Sequence, residues 1–328
     1  MIIVTGGAGF IGSNIIARLR DENLSPIVVC DIPGTDATTP NLAKAELADV
    51  LTQETLAPFI EENGTEIEAI FHMGAISATT EMDVDLITRT NVDWSRQLWD
   101  LSAKHSIKFF YASSAATYGE GENGFQDFFT PEELATLQPL NPYGRSKHQF
   151  DQMVRDLIDQ GAPVPPQWAG LKFFNVYGPN EYHKGSMLSV AYQLYHQIKE
   201  TGQAKLFESY KNGVAHGDQA RDFVWVRDCI NIMMWLYRTP TVSGLFNIGS
   251  GQGRTFNELA KAAFAALGVP ENITYIPMPE TLRDKYQYYT QADMQKLKTA
   301  GYDIPLTSIE AGVQQYFDQY LSQQDRYA

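Results

Sequence analysis

The sequence predicts an α/β protein with a doubly wound parallel sheet and a smaller C-terminal α/β domain. Apolar, β-branched runs and segments with helical spacing alternate along the chain up to about residue 175. Alternating strands and helices imply parallel strands joined by right-handed crossovers. Beyond residue 175 the alternation breaks, and helices mix with short strands. We therefore expect one domain over 1–175 and a second mainly over 176–328, with some of its segments returning to the sheet.

Glycines near the N-terminus have the spacing Gly6-x-x-Gly9-x-x-Gly12. They follow the apolar run 2–4 and precede apolar residues at helical spacing, which places them where a strand turns into a helix. There Gly6 would permit the tight turn and Gly9 would let the backbone approach a pyrophosphate. Gly12 would let the helix pack closely on the strand. The first domain is thus predicted to be an NAD(P)-binding Rossmann domain.

The next predicted strand, 27–30, ends at Asp31, whose carboxylate could accept both ribose hydroxyls of an adenosine. A 2′-phosphate would instead require a nearby Arg or Lys. The residues from Asp31 to Asn41 include no cation, and Lys44 is the first. On this chemistry alone the sequence favours NAD over NADP.

The remaining elements are predicted from the same apolar patterns. In the first domain we expect strands at 67–72, 107–111 and 171–174, and helices at about 83–104 and after Tyr143. In the second domain we expect helices at 186–200, 226–238, 255–267 and 307–322, and short strands near 205–207 and 245–248.

Composition excludes several classes of function. The 328 residues include 25 Lys+Arg and 39 Asp+Glu, a net charge of −14, so nucleic acid and membrane surfaces are poor partners. No apolar run reaches the roughly 18 residues of a spanning helix, and the N-terminus lacks a signal-peptide pattern. Cys30 and Cys229 form no metal or disulfide motif, and the six histidines show no ligand spacing. We expect a cytoplasmic protein without a metal site.

Tyr143 and Lys147 lie four residues apart, hence on one face of a helix. An ammonium group beside a phenol favours the phenolate, so Tyr143 could exchange a proton with a sugar hydroxyl during hydride transfer. Ser114, at the end of a predicted strand, could orient the substrate oxygen. A second pair with this spacing, Tyr195 and Lys199, lacks such a context and is interpreted as an ordinary helix face.

These motifs together resemble the extended short-chain dehydrogenase/reductase superfamily. The resemblance implies that Ser114, Tyr143 and Lys147 form the superfamily's reductase triad. Nucleotide-sugar dehydratases of the superfamily carry an Asp-Glu pair after the serine. This chain has Ala115-Ala116 there, which argues against dehydration. Residues 174–179 (FNVYGP) resemble the sugar-nucleotide branch of the superfamily.

Several residues of the second domain could bind a nucleotide sugar. Lys184 and Ser186 lie at the predicted start of a helix, where an anion would bind. Arg221 could clamp phosphates through two parallel hydrogen bonds. The alternatives are a solvated surface charge for Lys184 and an ion pair with Asp218 or Asp222 for Arg221. Residues 286–293 would close the same pocket.

Four segments together resemble the family of ADP-L-glycero-D-manno-heptose 6-epimerases. They are 6–14 (GGAGFIGSN), 112–119 (ASSAATYG), 183–187 (HKGSM) and 290–293 (TQAD). The resemblance implies oxidation at C6 of ADP-D-glycero-D-manno-heptose to a transient ketone, then return of the same hydride to the other face. The product would be a precursor of the lipopolysaccharide core. Tyr143 would be the acid/base on one face of the sugar, and Lys184 on the other.

The resemblance also implies the remaining site residues. The cofactor would be bordered by Gly6, Gly9, Phe10, Ile11, Gly12, Asp31, Ile32, Met73, Gly74, Ala75, Ile76, Ser77, Asn91, Lys147, Val176 and Lys184. The ADP-heptose would be bordered by Ser114, Asn175, Ser186, Gln193, Phe207, Glu208, Ser209, Tyr210, Arg221 and Tyr286. The family implies NADP as the cofactor, and we expect a homo-oligomer.

Three features depart from the family pattern. Thr38 and Gln53 stand where cations are expected, which leaves NAD open as the cofactor. Gln193 replaces a histidine expected near the substrate, and the segment 121–138 is longer than expected, which would change the rim of the site. Two other functions stay open. A UDP-sugar 4-epimerase would not need Lys184, and a dinucleotide-sensing regulatory protein would not need Tyr143.

Overall fold

The computed structural model describes residues 1–24, 26–32, 39–283 and 286–328. Its strands, in chain order, are β1 (Ile2–Thr5), β2 (Ile27–Cys30), β3 (Asp49–Leu51), β4 (Ala69–His72), β5 (Lys108–Ser114), β6 (Trp168–Phe173), β7 (Asn175–Tyr177), β8 (Ala204–Phe207), β9 (Ala220–Trp225), β10 (Gly244–Ile248), β11 (Gly253–Thr255) and β12 (Ile273–Ile276). Seven of them form a central sheet in the order β10-β6-β5-β4-β1-β2-β3. Every neighbouring pair in this sheet is parallel, so the predicted fold class is confirmed.

The α-helices connect the strands and cover the sheet. They are α1 (Phe10–Asp21), α2 (Gln53–Asn63), α3 (Val84–Thr88), α4 (Trp94–His105), α5 (Pro131–Ala135), α6 (Pro142–Asp159), α7 (Val190–Thr201), α8 (Val226–Arg238), α9 (Phe256–Leu267), α10 (Glu280–Arg283), α11 (Gln295–Thr299) and α12 (Ile309–Tyr316).

The sheet is buried on both faces because its strands are almost continuously apolar. On one face Val4 and Phe71 pack in a core with apolar residues of α1 and α8. On the other face Ile3 and Ile70 pack with apolar residues of α2, α4 and α6. Side chains alternate between faces along each strand, so the two cores use alternate residues of β1 and β4.

The second half of the chain builds two smaller sheets and also completes the first. Strands β11, β9 and β7 form one small sheet, and β12 and β8 form the other. Apolar residues of α7, α9 and α12 form a third core around them. Strand β10, however, pairs in parallel with β6 at the end of the central sheet. The chain therefore leaves the central sheet after Phe173 and returns to it at Gly244.

Several predicted boundaries were wrong, each for a local reason. The predicted helix 83–104 consists of α3, a turn of π-helix at Arg89–Asp93, and α4. The predicted strand 107–111 continues to Ser114, because β5 remains paired with β6 up to that residue. The predicted helix 186–200 begins only at Val190, where the Ser189 hydroxyl accepts the N–H of Tyr192 at 3.2 Å. Among the described residues, no helix combines the length and apolarity needed to cross a membrane.

Candidate active site

A cavity of about 760 Å³ lies beyond the carboxyl ends of the central strands. This is the edge at which open α/β sheets bind ligands. Fifteen of the sixteen residues predicted to border a cofactor line it: Gly6, Gly9, Phe10, Ile11, Gly12, Asp31, Ile32, Met73, Gly74, Ala75, Ile76, Ser77, Lys147, Val176 and Lys184. Ser114, Tyr143 and Asn175 line the same cavity.

The glycine turn between β1 and α1 is shaped so that side chains cannot be added to it. Gly6 has a φ of +62°, and a Cβ there would lie 2.7 Å from Cα of Gly74. A Cβ on Gly12 would overlap the carbonyl oxygen of Gly6. Gly9 precedes α1 and offers no side chain to cap the first N–H groups of the helix. These N–H groups remain available for a pyrophosphate, and the turn fits a dinucleotide.

Asp31 lies at the end of β2 with both carboxylate oxygens already bound to the backbone. Its Oδ2 accepts the N–H of Ala8 at 2.8 Å, and its Oδ1 accepts the N–H of Ile32 at 2.8 Å. Gln53 and Glu54 line the cavity as well. Each Asp31 oxygen keeps a second lone pair with which it could accept a ribose hydroxyl.

Two further residues bear on the cofactor. The Lys44 ammonium lies 2.8 Å from the Asp325 carboxylate and donates to the carbonyl of Tyr327 at 2.7 Å. Lys44 does not line the cavity. Thr38, where the sequence departs from the family pattern, lies outside the described residues.

Asn91 is the one predicted cofactor residue that does not line the cavity. It is buried behind the wall, where its Oδ1 accepts the N–H of Ile76 at 2.8 Å. Its Nδ2 donates to the carbonyl of Ile76 and to the hydroxyl of Ser146, both at 3.0 Å. Asn91 therefore ties the cavity-lining segment around Ile76 to helix α6.

Helix α6 carries Tyr143 in its first turn and Lys147 one turn later. The helix begins at Pro142, and the side chain of Asn141 caps it by accepting the N–H of Gly144 at 2.8 Å. Proline at the first position and asparagine at the cap both favour a helix start. Ser114 reaches the same cavity from the end of β5. The tyrosine–lysine spacing thus places both groups on the face that the serine approaches.

Burial is the largest influence on the pKa values of Tyr143 and Lys147. It raises the pKa of Tyr143, and hydrogen bonding from the Ser114 hydroxyl acts in the opposite direction. It lowers the pKa of Lys147 from 10.5 to about 8, and the negative charge of Asp151 opposes this change. Burial and the charge of Asp151 therefore favour the phenol form of Tyr143, whereas the sequence predicted that Lys147 would favour the phenolate. The second Tyr-x-x-x-Lys pair lies elsewhere, with the Tyr195 hydroxyl donating to the carbonyl of Leu321 at 3.0 Å.

Lys184 enters the cavity from a loop rather than from a helix terminus. Residues Gly185–Met187 form a single 3-10 turn, so the helix start that was predicted at Lys184 and Ser186 is wrong. The Lys184 ammonium lies 5.2 Å from the centre of the Phe10 ring. Burial lowers the pKa of Lys184, and the charge of Glu181 opposes this change. Met187 lies on the same cavity wall and contacts Thr79.

Glu181 fixes the loop that carries Lys184. Its carboxylate is fully buried and accepts the N–H of Ser189 at 2.6 Å and the Ser189 hydroxyl at 2.7 Å. It also accepts the hydroxyl of Tyr316, from α12, at 3.0 Å. The Glu181 carboxylate therefore joins the start of this loop to its end at Ser189 and to α12.

The other predicted substrate residues form a separate cluster around Arg221. Arg221 is 8% exposed, and its guanidinium carbon lies 5.0 Å from the Tyr286 ring centre and 5.9 Å from that of Phe256. The salt bridges found in the described part of the chain do not include Arg221, so the surface ion pair with Asp218 or Asp222 is not observed. Gln219 donates to the carbonyls of Phe207 and Glu208, at 3.3 and 3.2 Å, which holds them beside this cluster.

The Arg221 cluster adjoins the cavity through the chain segment after Tyr286. Gln287 lines the cavity and donates to the carbonyl of Gly119. The Tyr288 hydroxyl accepts the backbone N–H of Tyr210 at 3.1 Å, which holds Ser209 and Tyr210 beside the segment that follows Tyr286. Phe207, Glu208, Ser209, Tyr210, Arg221 and Tyr286 do not themselves line the cavity.

Two predicted substrate residues stand apart from both groups. Ser186 is exposed, and Gln193 is exposed with its side chain donating to the carbonyl of Leu188 at 2.9 Å. The long segment 121–138 does not line the cavity either. Instead the buried Asp127 accepts the N–H of Asn247 in β10 at 2.8 Å, so the segment is tied to the edge of the sheet.

Three further residues line the cavity, although the sequence patterns that indicate them were assigned no role: His183, Met187 and Asn141. His183 and Met187 belong to the 183–187 motif. Asn141 belongs to an Asn-Pro pair just before Tyr143, which is a recognisable helix start. Asp151 follows Lys147 by one further helical turn and its charge acts on that lysine.

Comparisons with known proteins agree with this geometry. Residues 2–249 match the family model described as "NAD dependent epimerase/dehydratase family". The chain belongs to this family. A curated relative from Fusobacterium nucleatum, named ADP-L-glycero-D-manno-heptose-6-epimerase, is 44% identical over the full length of both chains. A relative of the same name from Alkalilimnicola ehrlichii is 45% identical over 97% of both chains.

Two solved structures resemble the chain over nearly its whole length. The ADP-L-glycero-D-manno-heptose-6-epimerase of Helicobacter pylori has a TM-score of 0.78 and 28% identity, covering 97% of this chain and 95% of that one. A UDP-N-acetylglucosamine 4-epimerase from Methanobrevibacter ruminantium has a TM-score of 0.79 at 20% identity, covering 98% of each chain, and shows the fold alone. The resemblance to the heptose epimerases is thus confirmed, and the protein is an enzyme of the epimerase type.

Proposed function

We propose that the protein converts ADP-D-glycero-D-manno-heptose to ADP-L-glycero-D-manno-heptose by inverting C6, in the supply of lipopolysaccharide core precursor. One observation carries the proposal: Tyr143 and Lys184 line the same cavity from different elements. Inversion through a ketone needs an acid/base group on each face of the sugar carbon. The full-length similarity to enzymes of this name supports the substrate.

The residues of this chain divide the work of proton transfer. Ser114 would hold the reacting oxygen, and Tyr143 would take its proton as C6 is oxidised. Lys147, buried one turn below, would stabilise the phenolate of Tyr143 through its charge as the proton is transferred. Lys184 would exchange a proton with the same oxygen when the ketone presents its other face. A bound nicotinamide dinucleotide would accept and return the hydride.

The diphosphate of the substrate would bind at the Arg221 cluster. Arg221 is buried among aromatic rings, and burial lowers the pKa of its guanidinium. A guanidinium held this way is costly unless an anion reaches it, and paired phosphates match its planar donors. Tyr286 and Phe207 would pack against the nucleotide part of the substrate. The two residues that follow Tyr286 connect this subsite to the reacting groups.

For the cofactor, the residues favour NAD over the NADP that the family resemblance implies. Among the described residues that line the cavity, the only lysines are Lys147 and Lys184, and no arginine lines it. Asp31 and Glu54 both line the cavity, and their carboxylates would repel a 2′-phosphate bound near them. Titration of the cofactor-free protein, followed by reduced-nicotinamide fluorescence, should show tighter binding of NADH than of NADPH. Equal or tighter binding of NADPH would contradict this preference.

The proposal extends to organisation of the chain. Residues 1–175 would bind the cofactor, and 176–328 would mainly bind the substrate, with β10 as a segment returned to the sheet. We expect a homo-oligomer in the cytoplasm. Size-exclusion chromatography with light scattering tests the first expectation directly.

The deciding experiment is incubation with ADP-D-glycero-D-manno-heptose in deuterated water, followed by proton NMR. We expect inversion at C6 without deuterium at that carbon, because the hydride returns internally. Deuterium at C6 would show a deprotonation route instead. If the heptose is left unchanged and UDP-galactose is converted, the protein is a UDP-sugar 4-epimerase. Dinucleotide binding without turnover of either sugar would favour a regulatory protein.

A further inference from the structure

A buried ion pair lies beneath the reacting groups and outside the cavity lining. The carboxylate of Asp151, in α6, is 3.2 Å from the ammonium of Lys172, in β6, and both side chains have no exposed surface. Asp151 follows Lys147 by one helical turn. Two charges are expensive to bury, and replacing such a pair with apolar residues of similar size is often neutral or stabilising. The pair therefore calls for a role besides stability.

Asp151 connects α6 to the last residues of β5. Its Oδ2 accepts the hydroxyl of Ser113 at 2.7 Å, and its Oδ1 accepts the hydroxyl of Tyr111 at 3.1 Å. Ser113 immediately precedes Ser114, whose side chain points to the opposite face of the strand and reaches the cavity. One carboxylate thus holds the helix of Tyr143 and Lys147 against the strand that carries Ser114.

Lys172 connects the same carboxylate to the turn that follows Ser114. Its ammonium donates to the Thr117 hydroxyl at 2.6 Å, and that hydroxyl donates to the carbonyl of Ser114 at 2.8 Å. The ammonium also lies 4.6 Å from the ring centre of Tyr118. Lys172 and Ser113 are direct partners in the pairing of β6 with β5. The ion pair therefore links three elements: α6, the end of β5 and the turn after it.

We propose that Asp151 and Lys172 are positioning residues that hold Ser114, Tyr143 and Lys147 in one arrangement. The proposal rests on the proposed function, since it assigns a task to the neighbours of the groups that the mechanism uses. A displacement of about 1 Å at a reacting group can cost roughly a hundredfold in rate. Anchoring both the helix and the strand end to one buried pair limits such displacement.

Asp151 also acts on Lys147 through its charge. Burial lowers the pKa of Lys147 to about 8, and Asp151 opposes this change. The other charged and titratable groups around this pair are His72 from β4, Tyr111 from β5, Tyr143 and His148 from α6, and Lys172 from β6. Tyr118, in the turn after β5, and the buried Asp127 also lie close enough for their charges to interact with the pair. Burial and the charge of Lys147 lower the pKa of His72 to about 3, so His72 stays neutral. Without Asp151, Lys147 would lose its proton at a lower pH.

The principal test compares Asp151→Asn/Lys172→Met with the native enzyme and with Asp156→Asn. The double variant removes both buried charges together, and Asp156 is an exposed aspartate on the same helix. We expect the double variant to lose roughly 10- to 100-fold in kcat with KM changed by less than about threefold. The alkaline limb of its kcat–pH profile should move to lower pH. Asp156→Asn should match the native enzyme in both respects.

A second variant separates position from charge and does not depend on folding without the pair. Thr117→Val removes the link from Lys172 to the Ser114 carbonyl while leaving Asp151 and Lys147 unchanged. We expect a several-fold fall in kcat with an unmoved pH profile. Native kcat and pH profile in a folded double variant would overturn the proposal, as would native kcat in Thr117→Val. If the native enzyme converts a UDP-sugar instead of the heptose, the proposed substrate fails, and the same comparison is made on that UDP-sugar.

Discussion

The two acid/base groups of the cavity are held in different ways. Tyr143 stands on an 18-residue helix that the buried Asp151–Lys172 pair connects to two strands of the central sheet. Lys184 stands on a loop whose only regular structure is a three-residue turn, and its anchor is the carboxylate of Glu181. We call the side of the cavity formed by Ser114, Tyr143 and Lys147 the sheet wall. The opposite side, formed by the loop of Lys184, is the loop wall, and it is held by residues from the second half of the chain. The two faces of a substrate would therefore meet a long helix packed on the sheet on one side and a short loop on the other.

The largest expected effect comes from the sheet wall. Tyr143→Phe should lower kcat by roughly 1,000- to 10,000-fold, because it removes one acid/base group. It should block oxidation of one of the two C6 epimers, measured as absorbance of reduced nicotinamide in a single turnover. Tyr195→Phe, from the second Tyr-x-x-x-Lys pair, is the matched control and should keep native kcat. A Tyr143→Phe enzyme with near-native kcat would remove Tyr143 from the mechanism.

A substitution in the loop wall should block oxidation of the other C6 epimer, the one that Tyr143→Phe still oxidises. Lys184→Met should lower epimerisation by at least about 100-fold, since the other face then lacks a proton donor. Single-turnover oxidation should be lost for the epimer that Tyr143→Phe still oxidises. Full activity of Lys184→Met would favour a 4-epimerase. If Lys184→Met and Tyr143→Phe both lose oxidation of the same epimer, the two groups act on one face of the sugar. Lys199→Met, on an exposed helix face, is the control.

Burying the charged Lys147 in the sheet wall should lower the free energy of unfolding of the protein. Lys147 has a pKa of about 8 in the folded protein against 10.5 ordinarily, so between these values the unfolded chain binds more protons. Stability at this position therefore rises with pH across that window. Lys147→Met should stabilise the protein by about 3 kcal/mol at pH 7, and the gain should vanish near pH 10.5. Chemical denaturation across this pH range measures it, and a gain independent of pH would contradict the buried charge as its cause.

The smallest effect concerns the anchor of the loop. Glu181→Gln keeps the shape of the side chain but replaces one acceptor oxygen and removes the charge beside Lys184. We expect about a tenfold loss in kcat, because the loop is less firmly held while Lys184 itself remains. The exposed Glu200→Gln on α7 is the matched control. If Glu181→Gln loses no more activity than Glu200→Gln, the loop does not depend on this carboxylate.

Much of the sheet wall could be predicted from the sequence because its signals are local. The glycine spacing, Asp31 and the Tyr143/Lys147 pair each lie within a few residues of the element that positions them, and all line the cavity. Asn91 was predicted to border the cofactor, but it lies behind the cavity wall. Its amide hydrogen-bonds to Ile76 and Ser146, which are distant in sequence, so no local pattern reveals this position.

The loop wall resisted prediction because distant groups decide it. The start of α7 depends on Ser189, whose hydroxyl both caps the helix and donates to Glu181, and Glu181 in turn needs Tyr316. Apolar periodicity does not report such contacts, so the helix was placed four residues early. By contrast, the contact of Arg221 with Tyr286 agrees with the expectation that residues 286–293 close the same pocket.

The return of β10 to the central sheet has a consequence for synthesis of the protein. Strand β6 is buried along its whole length and pairs with β5 on one side and β10 on the other. While the ribosome is still translating the residues between Phe173 and Gly244, one edge of β6 has no partner. An uncovered apolar edge invites pairing with other chains. A nascent or truncated chain that ends in this interval therefore carries the complete glycine turn, Tyr143 and Lys147, and yet is prone to aggregate.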